Sequence, residues 1–177
     1  MIQLKPPLSE QEVRALKAGD EIVVTGTVYS ARDMSHKRLC EVIKAGEQLP
    51  FDLDGAIIYF LGPTPAAPGQ IIGAAGPTTS SRMDAFSPSL IQKGLKAMIG
   101  KGYRNGNVRQ ALKEYGAVHL SALGGAGALL SKLIVSAEVI AYQDLAAEAI
   151  RRLEVLNFPA IVAYDSHGRS IYGDQEG

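Results

Sequence analysis

An α/β fold with a mixed sheet and flanking helices is predicted by three features of this sequence. Strand-length and helix-period segments alternate through most of the chain. Several strand-length runs are apolar without a break, as strands buried on both faces are. The chain then ends in a β-rich stretch, which argues against a purely parallel sheet.

The elements follow in order. Ser9-Glu10-Gln11-Glu12 has the form of a capping box, with Val13 and Leu16 behind it, and predicts a short helix ending near Gly19. Glu21 to Tyr29 is rich in β-branched residues and predicts a strand. Ser30 to Lys44 predicts a helix with Leu39, Val42 and Ile43 on one face. Gly55 to Leu61 is a continuous apolar run ending in Gly62-Pro63-Thr64-Pro65, and Ile71 to Ala75 reads as a further short buried strand. Helices are expected from Thr79 toward Met83 and from Ser87, then a strand at Ala97 to Ile99, a helix at Asn107 to Tyr115 and a strand at Ala117 to Leu123. Gly124 to Gly127 reads as a turn. Ile134 to Tyr142 fits strand or helix by pattern. Arg152 to Val155 and Ala160 to Asp165 read as strands, with a turn at Ser166 to Arg169 before Ser170 to Tyr172. No repeat or long linker interrupts the 177 residues, so a single domain over 1–177 is expected.

Composition removes several classes of function. The chain carries 18 Lys and Arg against 18 Asp and Glu, without the basic excess of a general nucleic-acid binder. At 46% hydrophobic and 20% charged it matches a folded globular protein, not a disordered one. No apolar run approaches the roughly 20 residues that span a bilayer, and the first residues lack the apolar core of a signal peptide. These features predict a cytoplasmic protein. The single cysteine, Cys40, excludes an internal disulfide and any thiolate-held zinc or iron–sulfur site built from this chain alone. His36 and Cys40 stand four residues apart, but no third ligand is near, and Cys40 reads as a small buried hydrophobe.

Two segments carry candidate chemistry. In Gly73 to Asp84, a strand end is followed by Thr78, Thr79, Ser80, Ser81 and then Arg82. Free backbone N–H groups, hydroxyls and a guanidinium there would suit an anion, although Ser and Thr also serve as ordinary helix caps. In Thr25 to Arg38, Arg32 stands at a helix start, the end whose dipole favours anions rather than cations. Arg32, Asp33 and His36 would equally form an ordinary surface cluster. Lys101 lies between Gly100 and Gly102, where the chain can approach a ligand or a neighbour closely. Gly124 to Gly127 lacks the Lys-Ser/Thr of a phosphate loop.

Gly76-Pro77-Thr78-Thr79-Ser80-Ser81-Arg82-Met83-Asp84 closely resembles the GPTTSxRMD signature of the iron–sulfur-dependent fumarate hydratases and L-tartrate dehydratases. Ala31-Arg32-Asp33 with His36-Lys37-Arg38, Ile99 to Gly102, Gly124-Gly125-Ala126 and Asn157 to Ala160 match the same family in order, from about Leu8 to Tyr172. The resemblance is to the β subunit, equivalent to the C-terminal domain of single-chain enzymes. It implies a swivelling β/β/α domain and reversible hydration of fumarate to L-malate, or the corresponding dehydration of L(+)-tartrate. It implies Arg32, Arg82 and Lys101 as substrate-carboxylate ligands and Thr78 as the base. It also implies a 4Fe-4S cluster held by a cysteine-rich α subunit, with this chain binding no metal and acting in a hetero-oligomer; the composition adds the expectation of no nucleic acid and no membrane. Met34 and Ser35 depart from the small residues frequent in the family between Asp33 and His36. Two other classes stay open: a small-anion-binding module without catalysis, and a structural subunit that caps a partner's cluster.

Overall fold

Two long strands set the frame: β2 (Glu21–Ser30), with Ile22, Val23, Val24, Thr25, Thr27 and Val28, and β7 (Ile150–Tyr164). They run antiparallel, pairing from Glu21 with Ile161 to Ser30 with Arg151. The computed structural model describes residues 1–123 and 127–173. β3 (Ile57–Tyr59), β4 (Ala97–Gly100) and β5 (Val118–Ala122) follow β2 as parallel neighbours. β5 then pairs antiparallel with β7, whose other edge is already on β2. The sheet therefore closes as a five-stranded ring, β2-β3-β4-β5-β7. β1 (Ile2–Leu4) extends it beside β2, and β6 (Ile134–Ala141) beside β7.

Parallel neighbours need crossovers, and helices supply them. α2 (Asp33–Ala45) links β2 to β3, α3 (Ser87–Gln92) lies between β3 and β4, and α4 (Gly106–Tyr115) links β4 to β5. Strand side chains alternate between two cores. Ile57, Tyr59, Ile99, Val118, Leu120, Phe158 and Val162 fill the ring, and Val13 and Leu16 of and after α1 (Glu10–Arg14) pack with them. Ile58, Phe60 and Met98 face outward against Leu39, Leu90, Val108 and Leu112. Burial on both faces is why these strands are apolar throughout.

Local chemistry sets the helix starts. The expected capping box forms, with Glu12 N–H donating to Ser9 Oγ at 3.1 Å and Ser9 N–H to Glu12 Oε2 at 2.8 Å. Asn105 Oδ1 caps α4 by accepting from Val108 N–H at 3.0 Å. Ser80–Met83 is a single 3₁₀ turn, at the place where a helix was expected.

Three expectations need correction. Ile71 to Ala75 forms no strand, because Ala74 N–H donates to Thr64 Oγ1 and Ala75 N–H to the Gly127 carbonyl rather than to a ladder. Ile72 and Ala75 are nonetheless buried in the ring core, so the apolar run signalled burial and not pairing. The two expected strands near the end are one fifteen-residue strand. Asn157 takes a positive φ of 52° and its N–H donates to Thr25 Oγ1 at 2.9 Å, carrying the strand past Pro159. The strand expected at Ser170 to Tyr172 reduces to one bridge, Ser170 to Tyr164. Ile134 to Tyr142, open by pattern, is a strand to Ala141. The expected turn at Gly124 to Ala126 lies outside the described residues. No described helix is long and apolar enough to cross a membrane.

Phe158 is buried inside the ring, edge-on to Tyr59 with centroids 5.3 Å apart. Phe158→Ala should lower unfolding free energy by about 3–5 kcal/mol, the usual loss for a buried Phe. Urea unfolding should give a lower midpoint at an unchanged slope.

Candidate active site

The carboxyl ends of β2, β3 and β4 lie side by side, as parallel pairing requires, and parallel α/β sheets, open or closed, bind ligands at such ends. At the end of β2, Ala31 N–H donates to the Tyr59 carbonyl at 3.0 Å, and Arg32 opens α2. The Arg32 side chain crosses Gly62 just beyond β3. A Cβ on Gly62 would stand 2.5 Å from Arg32 Cδ and Nη1, so a side chain there would displace that guanidinium. Its Nε is buried without a hydrogen-bond partner among the described residues.

The Thr78 to Arg82 segment is stitched across the same strand ends. Thr78 N–H donates to the Phe60 carbonyl and Ser80 N–H to the Lys101 carbonyl, each at 2.8 Å. Thr79 pairs with Lys101 as a parallel bridge. Arg82 turns back to α2, donating from Nε at 3.0 Å and Nη2 at 2.6 Å to Asp33 Oδ2. Side-chain exposures of 48% and 30% make this a surface ion pair that contributes at most about 1 kcal/mol. Its effect is orientation. The structure thus brings Arg32, Thr78, Arg82 and Lys101 onto one open face, with Arg82 and Lys101 exposed and Arg32 and Thr78 half-buried.

Asp33 is therefore the partner of Arg82, and His36 does not belong to a surface cluster. His36 is fully buried beside Phe60 and Phe86. Its Nδ1 lies 2.7 Å from the Arg32 carbonyl, which can only accept, so Nδ1 carries the hydrogen. Burial pushes its pKa down to about 4, despite that bond. Cys40 is only half-buried, and its thiol donates to the Phe86 carbonyl at 3.5 Å.

Beneath the face lies a polar network that the sequence reading missed. Arg104 is wholly buried, and its Nε donates to Asp84 Oδ1 at 2.7 Å. Its Nη1 meets His119 Nδ1 at 3.1 Å, its Nη2 donates to Ser87 Oγ, and its guanidinium lies over the Phe60 ring. His119 Nε2 is 2.9 Å from Ser80 Oγ. Burial, then the charge of Arg104, holds His119 well below the ordinary histidine range. The signal was present in the sequence: a histidine between Val118 and Leu120, in a largely apolar strand, needs polar partners.

Residues 1–175 match the family described as "Fumarase C-terminus". The chain belongs to the fumarase C-terminal family. Within that family it is 39% identical over 171 residues to a Methanocaldococcus jannaschii protein named "Putative L(+)-tartrate dehydratase subunit beta", covering 93% of this chain and 88% of that protein. It is 36% identical over 177 residues to "Fumarate hydratase 1, mitochondrial" of Leishmania major, covering 97% of this chain and 32% of that protein. Against "Fumarate hydratase class I, aerobic" of Escherichia coli the identity is 33% over 175 residues, 97% of this chain and 32% of that protein. The chain thus spans about a third of the length of the fumarate hydratases it matches.

Among the described residues no three His, Cys, Asp or Glu side chains converge as a metal site. Burial raises the Cys40 thiol pKa, which disfavours the thiolate a metal needs.

His36 gives a pH signature. Its pKa is 6.5 when unperturbed and about 4 when folded, so between these values the unfolded chain binds a proton that the folded chain does not. Its contribution is complete above pH 6.5 and falls away toward pH 4, by about 3 kcal/mol. Buried His119 acts in the same direction. Urea midpoints should drop across this window, and more shallowly in His36→Asn, which keeps a donor for the Arg32 carbonyl but does not titrate.

Proposed function

We propose that this chain is the β half of a cytoplasmic hydro-lyase that interconverts fumarate and L-malate, with residues 1–177 acting as one domain of the C-terminal type. What supports the reading is the open face at the ends of three parallel strands, where the segments that carry Arg32, Thr78, Arg82 and Lys101 are stitched side by side. Three cations suit a dicarboxylate, and charge-assisted bonds from the Arg32 guanidinium, from Arg82 Nη1 and from the Lys101 ammonium would fix its orientation. The same cations would stabilise the negative charge that gathers on a carboxylate when the neighbouring carbon loses its proton. Thr78 is the candidate base. Its hydroxyl becomes competent only where neighbouring cations stabilise the alkoxide, a role that would fall to Arg32, Arg82 or Lys101.

The family resemblance implies a 4Fe-4S cluster, and the residues here do not fit one: the single thiol is engaged with the Phe86 carbonyl. The cluster is assigned to a cysteine-rich α subunit, and no step in this chain runs through it. The α subunit would cover the Thr78 and Arg82 face and exclude water there. Within the assembly the closed sheet would swivel as a unit against that partner.

A second reading, L(+)-tartrate dehydratase, is favoured by one observation. The Methanocaldococcus jannaschii relative, matched over 88% of its own length, carries that name. Anaerobic co-expression with the cysteine-rich chain, followed by assays on fumarate, malate and both tartrates, separates the two. Turnover by neither class of substrate would leave only the non-catalytic anion-binding module or the structural subunit.

In the active assembly, Arg82→Lys keeps the charge and loses the fork, and should cut kcat/KM sharply with the fold intact. Thr78→Val should lower kcat by about 10²–10⁴-fold, as for a lost general base, with a smaller change in KM. A change confined to KM would make Thr78 a binding residue instead.

A further inference from the structure

We propose that His119, acting through Ser80, is a positioning residue that sets the geometry of Thr78 and Arg82, an inference that rests on the reaction proposed above. Ser80 is the middle residue of the Thr78–Arg82 span and is fully buried. Its side chain reaches the sheet by passing over Gly100, where a Cβ would stand 2.2 Å from Ser80 Oγ and 3.4 Å from His119 Cε1. The missing side chain at Gly100 thus opens the path between β4 and the site segment.

The direction of the hydrogen bond follows from chemistry. A guanidinium only donates, so Arg104 Nη1, 3.1 Å from His119 Nδ1, makes Nδ1 the acceptor. The ring hydrogen then sits on Nε2, which donates to Ser80 Oγ at 2.9 Å. Arg104 is itself held at both ends. Asp84 Oδ1 takes its Nε, Met98 Sδ accepts from Nη1 at 3.4 Å, and its own N–H donates to the Tyr164 hydroxyl at 3.0 Å.

The same network grips the site segment a second time. Asp84 Oδ2 accepts from Asn105 N–H at 2.9 Å, so Asp84 is tied to Arg104 and to the start of α4 together. Ser80 and Asp84 stand two residues on either side of Arg82. Arg82 is therefore carried on a short span anchored at both feet by one buried network, and Thr78 stands two residues before the first foot.

Two measurements decide it. In the full chain, ¹⁵N spectra of His119 should give a neutral ring with the hydrogen on Nε2, and Ser80→Ala should speed hydrogen exchange at the Arg82 to Asp84 amides. An Nδ1–H tautomer, or unchanged exchange, overturns the inference whatever the enzyme does. In the active α–β assembly, Ser80→Ala should lower kcat by about 10–100-fold, the cost of a displacement on the order of 1 Å, with little change in KM. His119→Gln, which returns an amide donor near the Nε2 position, should recover most of that loss relative to His119→Leu. The Ser80→Ala, His119→Leu double variant should lose no more than the worse single one, because both remove the same bond. A Ser80→Ala enzyme with wild-type kcat would also overturn the inference. An inactive wild-type assembly would instead count against the proposed reaction and leave the spectra and exchange to judge the positioning.

Discussion

β7 pairs along both edges, with β2 on one side and with β6 and then β5 on the other, and the rest of the molecule is arranged around that double pairing. An open sheet of this size would leave long unpaired edges. Here the edge of β5 is taken up by β7, and the ring gains an interior filled by Val24, Val28, Tyr59, Ile99, Leu120 and Phe158. Closure also fixes polarity. With β2, β3 and β4 parallel, their carboxyl ends share one rim, and the loops leaving them must meet there. The candidate site is on that rim because the strands end there.

Charge is distributed in two layers on this frame. The outer layer holds Arg32, Arg82 and Lys101, with Asp33 as the carboxylate bonded to Arg82. The inner layer is neutral in sum: buried Arg104 is balanced by Asp84, and His36 and His119 are kept uncharged by burial. A buried ion pair of this kind contributes little net stability, yet removing one partner is costly, about 3–5 kcal/mol. Such a pair therefore resists substitution and holds its neighbours in one arrangement. Loops at the rim gain their order from the layer below rather than from their own contacts with solvent.

What the sequence made legible was local or specific. The capping box at Ser9, the helix after β2 and the two-sided burial of Gly55 to Leu61 all rest on spacing within a few residues. The nine-residue signature singled out Thr78 and Arg82 through its resemblance to a known family, not through any pattern in the chain itself. Long-range facts were not legible. Closure of the ring depends on pairing between residues more than a hundred positions apart, such as Tyr29 with Arg152. The backbone of Ile71 to Ala75 is satisfied by Thr64 and Gly127, and the Tyr59 hydroxyl holds the Ala75 carbonyl. No apolar pattern distinguishes that from a strand. Arg104 looked like any loop arginine, since its burial exists only once Asp84, Ser87 and His119 arrive from three other elements.

The contact between Arg82 and Asp33 has a thermodynamic consequence. An exposed arginine normally loses up to about 2 kcal/mol of rotamer freedom when a ligand immobilises it. Here Asp33 has already immobilised the fork through Nε and Nη2, and Nη1 has no partner among the described residues. A carboxylate arriving at Nη1 meets a preorganised donor and forfeits less entropy on binding. It must also tolerate a resident carboxylate within the same guanidinium, so a ligand with a single negative charge gains little. On the proposed function, a dianion that reaches Arg32 or Lys101 with its second carboxylate would offset that repulsion, so the face would discriminate by charge count before any group on the ligand's carbon skeleton is read.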